Sequence, residues 1–270
     1  MSKSPLIVAF EGNFATGKTT LMNLLQQSYG IDECKIFVDP EYRWYNFHSD
    51  QKCRDQILRW GRTLDSYDLM RDFLETPSFD AFDMLLEQLT NAARNLSLAA
   101  KEVDKRFVLV ERTPMSVLDC FGSVYGHYLN GKQKQMLDRV KDAMDDVSAQ
   151  PDMRFILSAR PSQLMPRIQE RGPTWEKNVS ENLLHSLDVR FNNLKSVLQE
   201  GGSMDVIGIE TGLQDPNSCM DCIASYIDGA WIRKSGKNFE QYRYCGSNSD
   251  HDCDDVICLD DSTSTICYPK

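Results

Sequence analysis

Residues 12–20 read Gly-Asn-Phe-Ala-Thr-Gly-Lys-Thr-Thr. Two glycines with four residues between them, then a lysine and a hydroxyl, make the P-loop pattern for gripping phosphate. Gly12 and Gly17 allow the backbone to turn its N–H groups inward. Gly12, Asn13, Phe14, Ala15, Thr16, Gly17, Lys18, Thr19 and Thr20 are therefore expected to wrap a nucleotide's phosphates. Lys18 brings a cation to the β- and γ-phosphates, and Thr19 brings a hydroxyl ligand for Mg²⁺.

Three further segments carry chemistry. In Val38-Asp39-Pro40-Glu41-Tyr42-Arg43-Trp44, Asp39 can accept the proton of a hydroxyl that attacks the γ-phosphate, and Trp44 can wall the acceptor pocket. An ordinary Asp-Pro turn is the other reading of that segment. In Leu109-Val110-Glu111-Arg112-Thr113, Glu111 is suited to Mg²⁺ or its water, and Arg112 to the charge of the reacting phosphoryl group. A surface Glu-Arg pair is the alternative there. Arg167 and Arg171 stand four apart on one helical face, ahead of the Gly172-Pro173 break. Paired guanidiniums clamp phosphates, and a segment that breaks behind them can act as a lid. The alternative is a solvated basic helix end.

These residues need elements that bring them to one place. Short apolar runs predict strands at 5–10, 35–39, 107–111, 153–158 and 204–209. Helical patterns fill 18–29, 50–75, 79–103, 115–147, 161–171, 178–200 and 216–230. The alternation predicts an α/β fold, with a five-stranded parallel sheet covered by helices on both faces. In such sheets ligands sit at the carboxyl ends of the strands, where the P-loop, Asp39 and Glu111 all fall.

The formal charge of −10 argues against a nucleic-acid backbone as main partner. No apolar run approaches the roughly eighteen residues of a membrane-crossing helix. Met1–Pro5 lead straight into the first strand, as expected of a chain without a signal peptide. The nine cysteines, an odd number and mostly within helical patterns or the tail, read as reduced thiols of an intracellular, cytoplasmic protein. Residues 1–232 are expected to form the catalytic domain and 233–270 an acidic, flexible extension. Residues 245–270 hold six aspartates against one lysine. Their Cys245, Cys253, Cys258 and Cys267 are separated by seven, four and eight residues, a spacing unlike common zinc sites. Cys219 and Cys222, a C-x-x-C without a second pair, read as packed thiols.

The joint order of these segments resembles the deoxynucleoside kinase family, including the herpesvirus thymidine kinases. The resemblance runs through residues 5–230 and rests on Gly12–Thr20, on Asp39-Pro40 with Trp44, on Glu111-Arg112-Thr113, and on Arg167, Arg171 and Glu176. The stretch Glu111–Phe121 is closest to the viral enzymes, which would make the compartment a host cell's. The resemblance implies a P-loop kinase fold with a lid, ATP as donor, Mg²⁺ as cofactor, a nucleoside as acceptor and a homodimer. It implies that Asp39 takes the 5′-hydroxyl proton, that Arg112 contacts the 5′-oxygen and the phosphoryl group, and that Glu111 lies near the metal. Arg167 and Arg171 would hold ATP phosphates, and Glu176 would reach the 3′-hydroxyl. Phe121 would stack on the base. Gln88, or Glu87 in a shifted register, would pair with its edge, with Arg94 beside it.

The chain departs from the family pattern in two of these places. Asp39 stands where the family has glutamate, with Glu41 close by, and Pro173 replaces a lid arginine of the cellular enzymes. Tyr67 is the candidate for the 3′-hydroxyl tyrosine. Val117, where deoxycytidine-type enzymes carry an acid, leans towards thymidine or another pyrimidine deoxynucleoside. Two alternatives remain at this stage. One is a thymidylate-type monophosphate kinase, suggested by Phe10-Glu11-Gly12. The other is a catalytically weak nucleotide-binding protein.

Overall fold

A computed structural model describes residues 4–38, 77–145, 149–171, 178–202 and 204–236. For residues 77–80, 145 and 171 it describes the backbone alone. Asp39, Glu41, Trp44, Tyr67, Pro173, Glu176, the expected helix at 50–75 and the cysteine-bearing tail lie outside the described residues.

Five strands form one parallel sheet: β1 (Leu6–Gly12), β2 (Cys34–Phe37), β3 (Phe107–Glu111), β4 (Met153–Ser158) and β5 (Asp205–Glu210). Their order across the sheet is β2-β3-β1-β4-β5. β1 lies in the centre, pairing Phe10 with Glu111 of β3 and Gly12 with Leu157 of β4. Parallel neighbours require crossovers, and the described ones are helical. The long helices are α1 (Lys18–Tyr29), α2 (Pro77–Ala99), α3 (Gly131–Asp145), α4 (Pro161–Arg171), α5 (Glu181–Gly201) and α6 (Pro216–Ser235).

Alternation along the strands divides the core. Leu6, Val8 and Phe10 point to the face covered by α1 and α6, where they join Leu21, Met22, Ile223 and Trp231. Ile7 and Ala9 point to the other face, under Leu96 and Ala99 of α2. A larger cluster on that face gathers Leu85 and Leu89 of α2, Phe121, and Leu184 and Phe191 of α5. With both faces covered, β1 and β3 are buried at every position, which explains their unbroken apolar runs.

Most element ends lie within a few residues of the sequence expectation, and three differences stand out. β1 continues through Gly12, so the P-loop starts from the sheet itself. The helix expected at 115–147 is divided. It opens at Pro114–Ser116, widens into a π-helix at Val117–Gly122, and narrows through Ser123–Tyr125 and a 3₁₀ turn at Gly126–Tyr128. α3 then begins afresh, with the Asn130 side-chain oxygen accepting from the N–H groups of Lys132 and Gln133 at 3.0 Å. Asn130-Gly131 and Gly126 supply the break. α6 runs past the expected domain boundary at 232 to Ser235. It is held there by Lys234, whose Nζ donates to both oxygens of Asp152 at 2.7–2.8 Å, and is closed by Gly236 at φ 63°.

Cys34, Cys120 and Cys219 are buried, and Cys222 is exposed. Burial pushes the Cys34 thiol up to about 12 and raises those of Cys120, Cys219 and Cys222 as well. An alkylating reagent at pH 7.5 is therefore expected to modify Cys222 and to leave Cys34, Cys120 and Cys219 intact until the protein is unfolded. Peptide mapping by mass spectrometry before and after denaturation checks this. Early labelling of Cys34 would contradict it.

Candidate functional site

The P-loop leaves β1 at Gly12 with φ 138° and enters α1 at Gly17 with φ 89°. Gly17 caps α1 with no side-chain hydrogen bond, so the first amides of the helix remain available to an anion. The loop is tied down from several sides. The Thr16 hydroxyl donates to the Asn13 carbonyl at 3.0 Å, and the Asn13 amide donates to the Leu184 carbonyl of α5 at 2.7 Å. Thr211, in the loop after β5, donates to the Thr16 carbonyl at 2.9 Å. Lys18 is buried and folds back over the loop, its Nζ donating to the carbonyls of Asn13 at 2.8 Å and Gly12 at 3.2 Å.

Glu111 and Arg112 arrive from the end of β3, beside this loop. The carboxylate of Glu111 is 3.8 Å from Lys18 Nζ and accepts from the Thr19 hydroxyl at 3.4 Å. Two buried oxygen donors beside a phosphate loop suit a hard cation that keeps most of its water and takes its remaining ligands from phosphates. Thr19 and Glu111 thus fit the expected Mg²⁺ site, Thr19 through its hydroxyl and Glu111 through its carboxylate. Arg112 is buried with φ 64°. Its guanidinium lies 4.3 Å from the ring centroid of Phe121, and its Nη1 donates to the Gly12 carbonyl at 3.4 Å. Among the described residues, Ala15 in the P-loop (φ 55°) and Arg112 are the two non-glycine residues with left-handed φ. Strain of this kind costs about 1–3 kcal/mol and concentrates at functional sites. Here it marks the two loops that face each other.

A cleft of about 300 Å³ opens at the far end of the P-loop, between Ala15, Leu21, Arg167, Gln214 and Pro216. Arg167 leans across it, donating to the Thr211 carbonyl at 2.9 Å and reaching the Ala15 carbonyl at 3.5 Å. This puts a cation from α4 against the loop. Arg171 is placed as the last residue of α4.

The expected acceptor-side residues divide into two groups. Gln88, Val117 and Phe121 are buried, and Val117 and Phe121 share a cluster with Leu85 and Leu89, which flank Gln88 on α2. Val117 and Phe121 lie four apart in the π-helix, both buried, the ring of Phe121 lying under Arg112 and edge-on to Phe14 at 5.8 Å. Glu87 is half-buried, and Arg94 points to solvent on α2, away from this group. The next residue, Asn95, donates to the carbonyl of Val38, the residue that precedes Asp39. α2 therefore fixes the chain at the entry to the Asp39 segment.

Several residues had no place in the sequence reading. Thr211 and Gln214, after β5, line the far cleft. The rule that places ligands at strand carboxyl ends could have found them. Glu11, read only within Phe10-Glu11-Gly12 and past the expected strand, and Arg154 are charges inside observed strands that are otherwise mostly apolar. Both are buried and they pair at 3.1 Å. A charge in a strand covered on both faces calls for a partner of opposite sign, and that was the available signal.

Over residues 8–227 the chain matches the family model described as deoxynucleoside kinase. Similar proteins include a Frog virus 3 (isolate Goorha) protein with a provisional deoxynucleoside kinase name. It is 26% identical over 198 residues, which are 73% of this chain and 86% of that protein. The deoxyguanosine kinase of Bacillus subtilis (strain 168) is 23% identical over 200 residues, 74% of this chain and 83% of that one. Among solved structures, the deoxyadenosine kinase of M. mycoides, with dCMP and a flexible dCDP bound as products, superposes with a TM-score of 0.62. It is 14% identical, over 83% of this chain and 99% of that one, so the likeness is one of fold. That fold is the α/β P-loop kinase fold.

Proposed function

Because this chain belongs to the deoxynucleoside kinase family, we propose that it transfers the γ-phosphate of ATP to the 5′-hydroxyl of a deoxynucleoside. One observation carries the reading: Lys18 at the start of α1 and Glu111 and Arg112 at the end of β3 gather at the P-loop, with Phe121 under the Arg112 guanidinium. In this reading the P-loop amides and Lys18 hold the donor phosphates. Arg112 meets the charge that develops on the transferred group, and Asp39 takes the proton of the attacking hydroxyl. A Mg²⁺ ion held by Thr19 and Glu111 would neutralise part of the phosphate charge. Arg167 and Arg171 close on ATP from α4, with Glu176 and Trp44 bounding the sugar. A homodimer inside a cell belongs to the same reading, and light scattering tests its stoichiometry. None of the described helices is long and apolar enough to cross a membrane.

Val117 supports thymidine as the favoured acceptor, because a buried valine offers no acid to a cytosine amino group. Purine deoxynucleosides compete in the test, given the names of the relatives. The experiment is transfer from Mg²⁺–ATP to thymidine, deoxycytidine, deoxyadenosine, deoxyguanosine and thymidine monophosphate. Turnover of a deoxynucleoside above thymidine monophosphate is expected, with thymidine fastest. Turnover of the monophosphate alone would replace the reading with a monophosphate kinase, and a purine preference would overturn the role given to Val117. Asp39→Asn is expected to lower kcat about a hundredfold or more with ATP affinity preserved. Unchanged turnover would remove Asp39 from the mechanism.

A further inference from the structure

The ladder between β1 and β3 has its last register pair at Phe10 and Glu111, and one more backbone bond joins Arg112 N–H to the Phe10 carbonyl. Beyond that rung the chain divides into the P-loop on one side and the Arg112 turn on the other. Their relative placement sets the distance between donor phosphates and Arg112. A buried network spans the division. Arg154, on β4, donates through Nη1 to Glu11 Oε1 at 3.1 Å and to the Thr113 hydroxyl at 2.6 Å. Thr113 in turn donates to Glu11 Oε1 at 2.6 Å. All three are at most 1% exposed. Glu11 immediately precedes Gly12, and Thr113 immediately follows Arg112. Thr113 also caps the helical segment that leads to Val117 and Phe121, through a reciprocal pair of hydrogen bonds with Ser116.

We propose that Arg154 is a positioning residue for phosphoryl transfer, its bridge to Glu11 and Thr113 fixing the P-loop and Arg112 relative to each other. The inference rests on the function proposed above. Three observations support it. The bridge touches the neighbour of each reacting loop and no surface. One loop begins at a glycine with φ 138° and the other holds an arginine with φ 64°, conformations that surrounding contacts must maintain. Arg112 Nη1 and Lys18 Nζ both donate to the Gly12 carbonyl, so a movement of Gly12 alters both cations together.

Glu11→Gln, Arg154→Met and the double variant separate positioning from stability. Each single change leaves a lone charge in the core, and its Tm is expected to fall. The double change leaves two neutral groups, and its Tm is expected to recover most of that loss. Its kcat is expected to stay at least about tenfold below wild type, since small misplacements of reacting groups cost rate, with ATP affinity by equilibrium binding within about threefold. Recovery of kcat together with Tm would overturn the proposal. Arg154→Lys keeps the charge and loses the planar fork. If the double variant does not fold, a drop in kcat at near-native Tm in this variant supports positioning, and native kcat overturns it. A wild-type enzyme that phosphorylates no deoxynucleoside would overturn the proposed function and this inference together. Normal wild-type turnover, with kcat following Tm across the variants, overturns only the inference.

Discussion

Gly12→Ala is expected to remove ATP binding and turnover together. A Cβ at this position would stand 2.4 Å from the Leu157 carbonyl oxygen and 3.0 Å from Thr16 Oγ1. The first neighbour is backbone of β4, paired in register with Gly12, and has no rotamer by which to escape. A φ of 138° adds a conformation that alanine avoids. Backbone strain costs about 1–3 kcal/mol, and overpacking about 1–3 kcal/mol more. For a domain of this size the Tm should fall by roughly 10 °C. Calorimetry with and without Mg²⁺–ATP checks the result. The wild type should gain stability from the nucleotide by mass action, and the variant should gain none. An undiminished ATP-dependent shift would mean that the loop can form without Gly12 in its present conformation.

Lys18→Met is expected to lower kcat by about a hundredfold to a thousandfold, the cost of removing one preorganised group that stabilises transition-state charge. Methionine keeps most of the length and apolar character of the stem, so the buried shaft stays filled. The change removes the ammonium group 3.8 Å from Glu111 and its two bonds to loop carbonyls. With Lys18 acting on the donor phosphates as proposed, the KM for the nucleoside should change much less than kcat. Steady-state kinetics at saturating ATP separate the two. A variant that loses acceptor KM and keeps kcat would move Lys18 from the chemistry to acceptor binding.

The sheet and the P-loop conformation were legible because both rest on short-range signals. A strand buried on both faces writes an apolar run, and the P-loop writes its glycines and lysine in nine consecutive residues. The π-helix at Val117–Gly122 was not legible, because widening a helix by one residue per turn changes no periodicity that a short segment can display. Val117 and Phe121 stand four apart and are both buried, a pairing that an ordinary helix would also allow. The position of Arg94 was also out of reach. Gln88 is buried and Arg94, six residues later on the same helix, is exposed. Only the rotation of α2 against the sheet decides between Gln88 and Glu87 as the inward residue. The Glu11–Arg154 bridge joins residues 143 positions apart, so each half reads as an anomaly until the strand order is known.

The central place of β1 has a consequence for how the chain assembles. β1 is the first of the five strands of this sheet to be synthesised, and both of its partners come much later, at residues 107–111 and 153–158. At about 5–20 residues per second, β1 waits on the order of ten seconds for its first neighbour and longer for its second. β2 cannot relieve it, because it pairs with β3. Non-local parallel pairing of this kind is slow, and it leaves unpaired strand edges exposed to aggregation meanwhile. The nascent chain thus carries a fully buried strand with both edges open until β3 is made, and with one edge open until β4 follows. The same delay orders the events of folding. The P-loop is anchored by Leu184 and Thr211, so it takes its final form only after α5 and β5 are in place. A phosphate-binding conformation of this loop therefore follows the completion of the sheet.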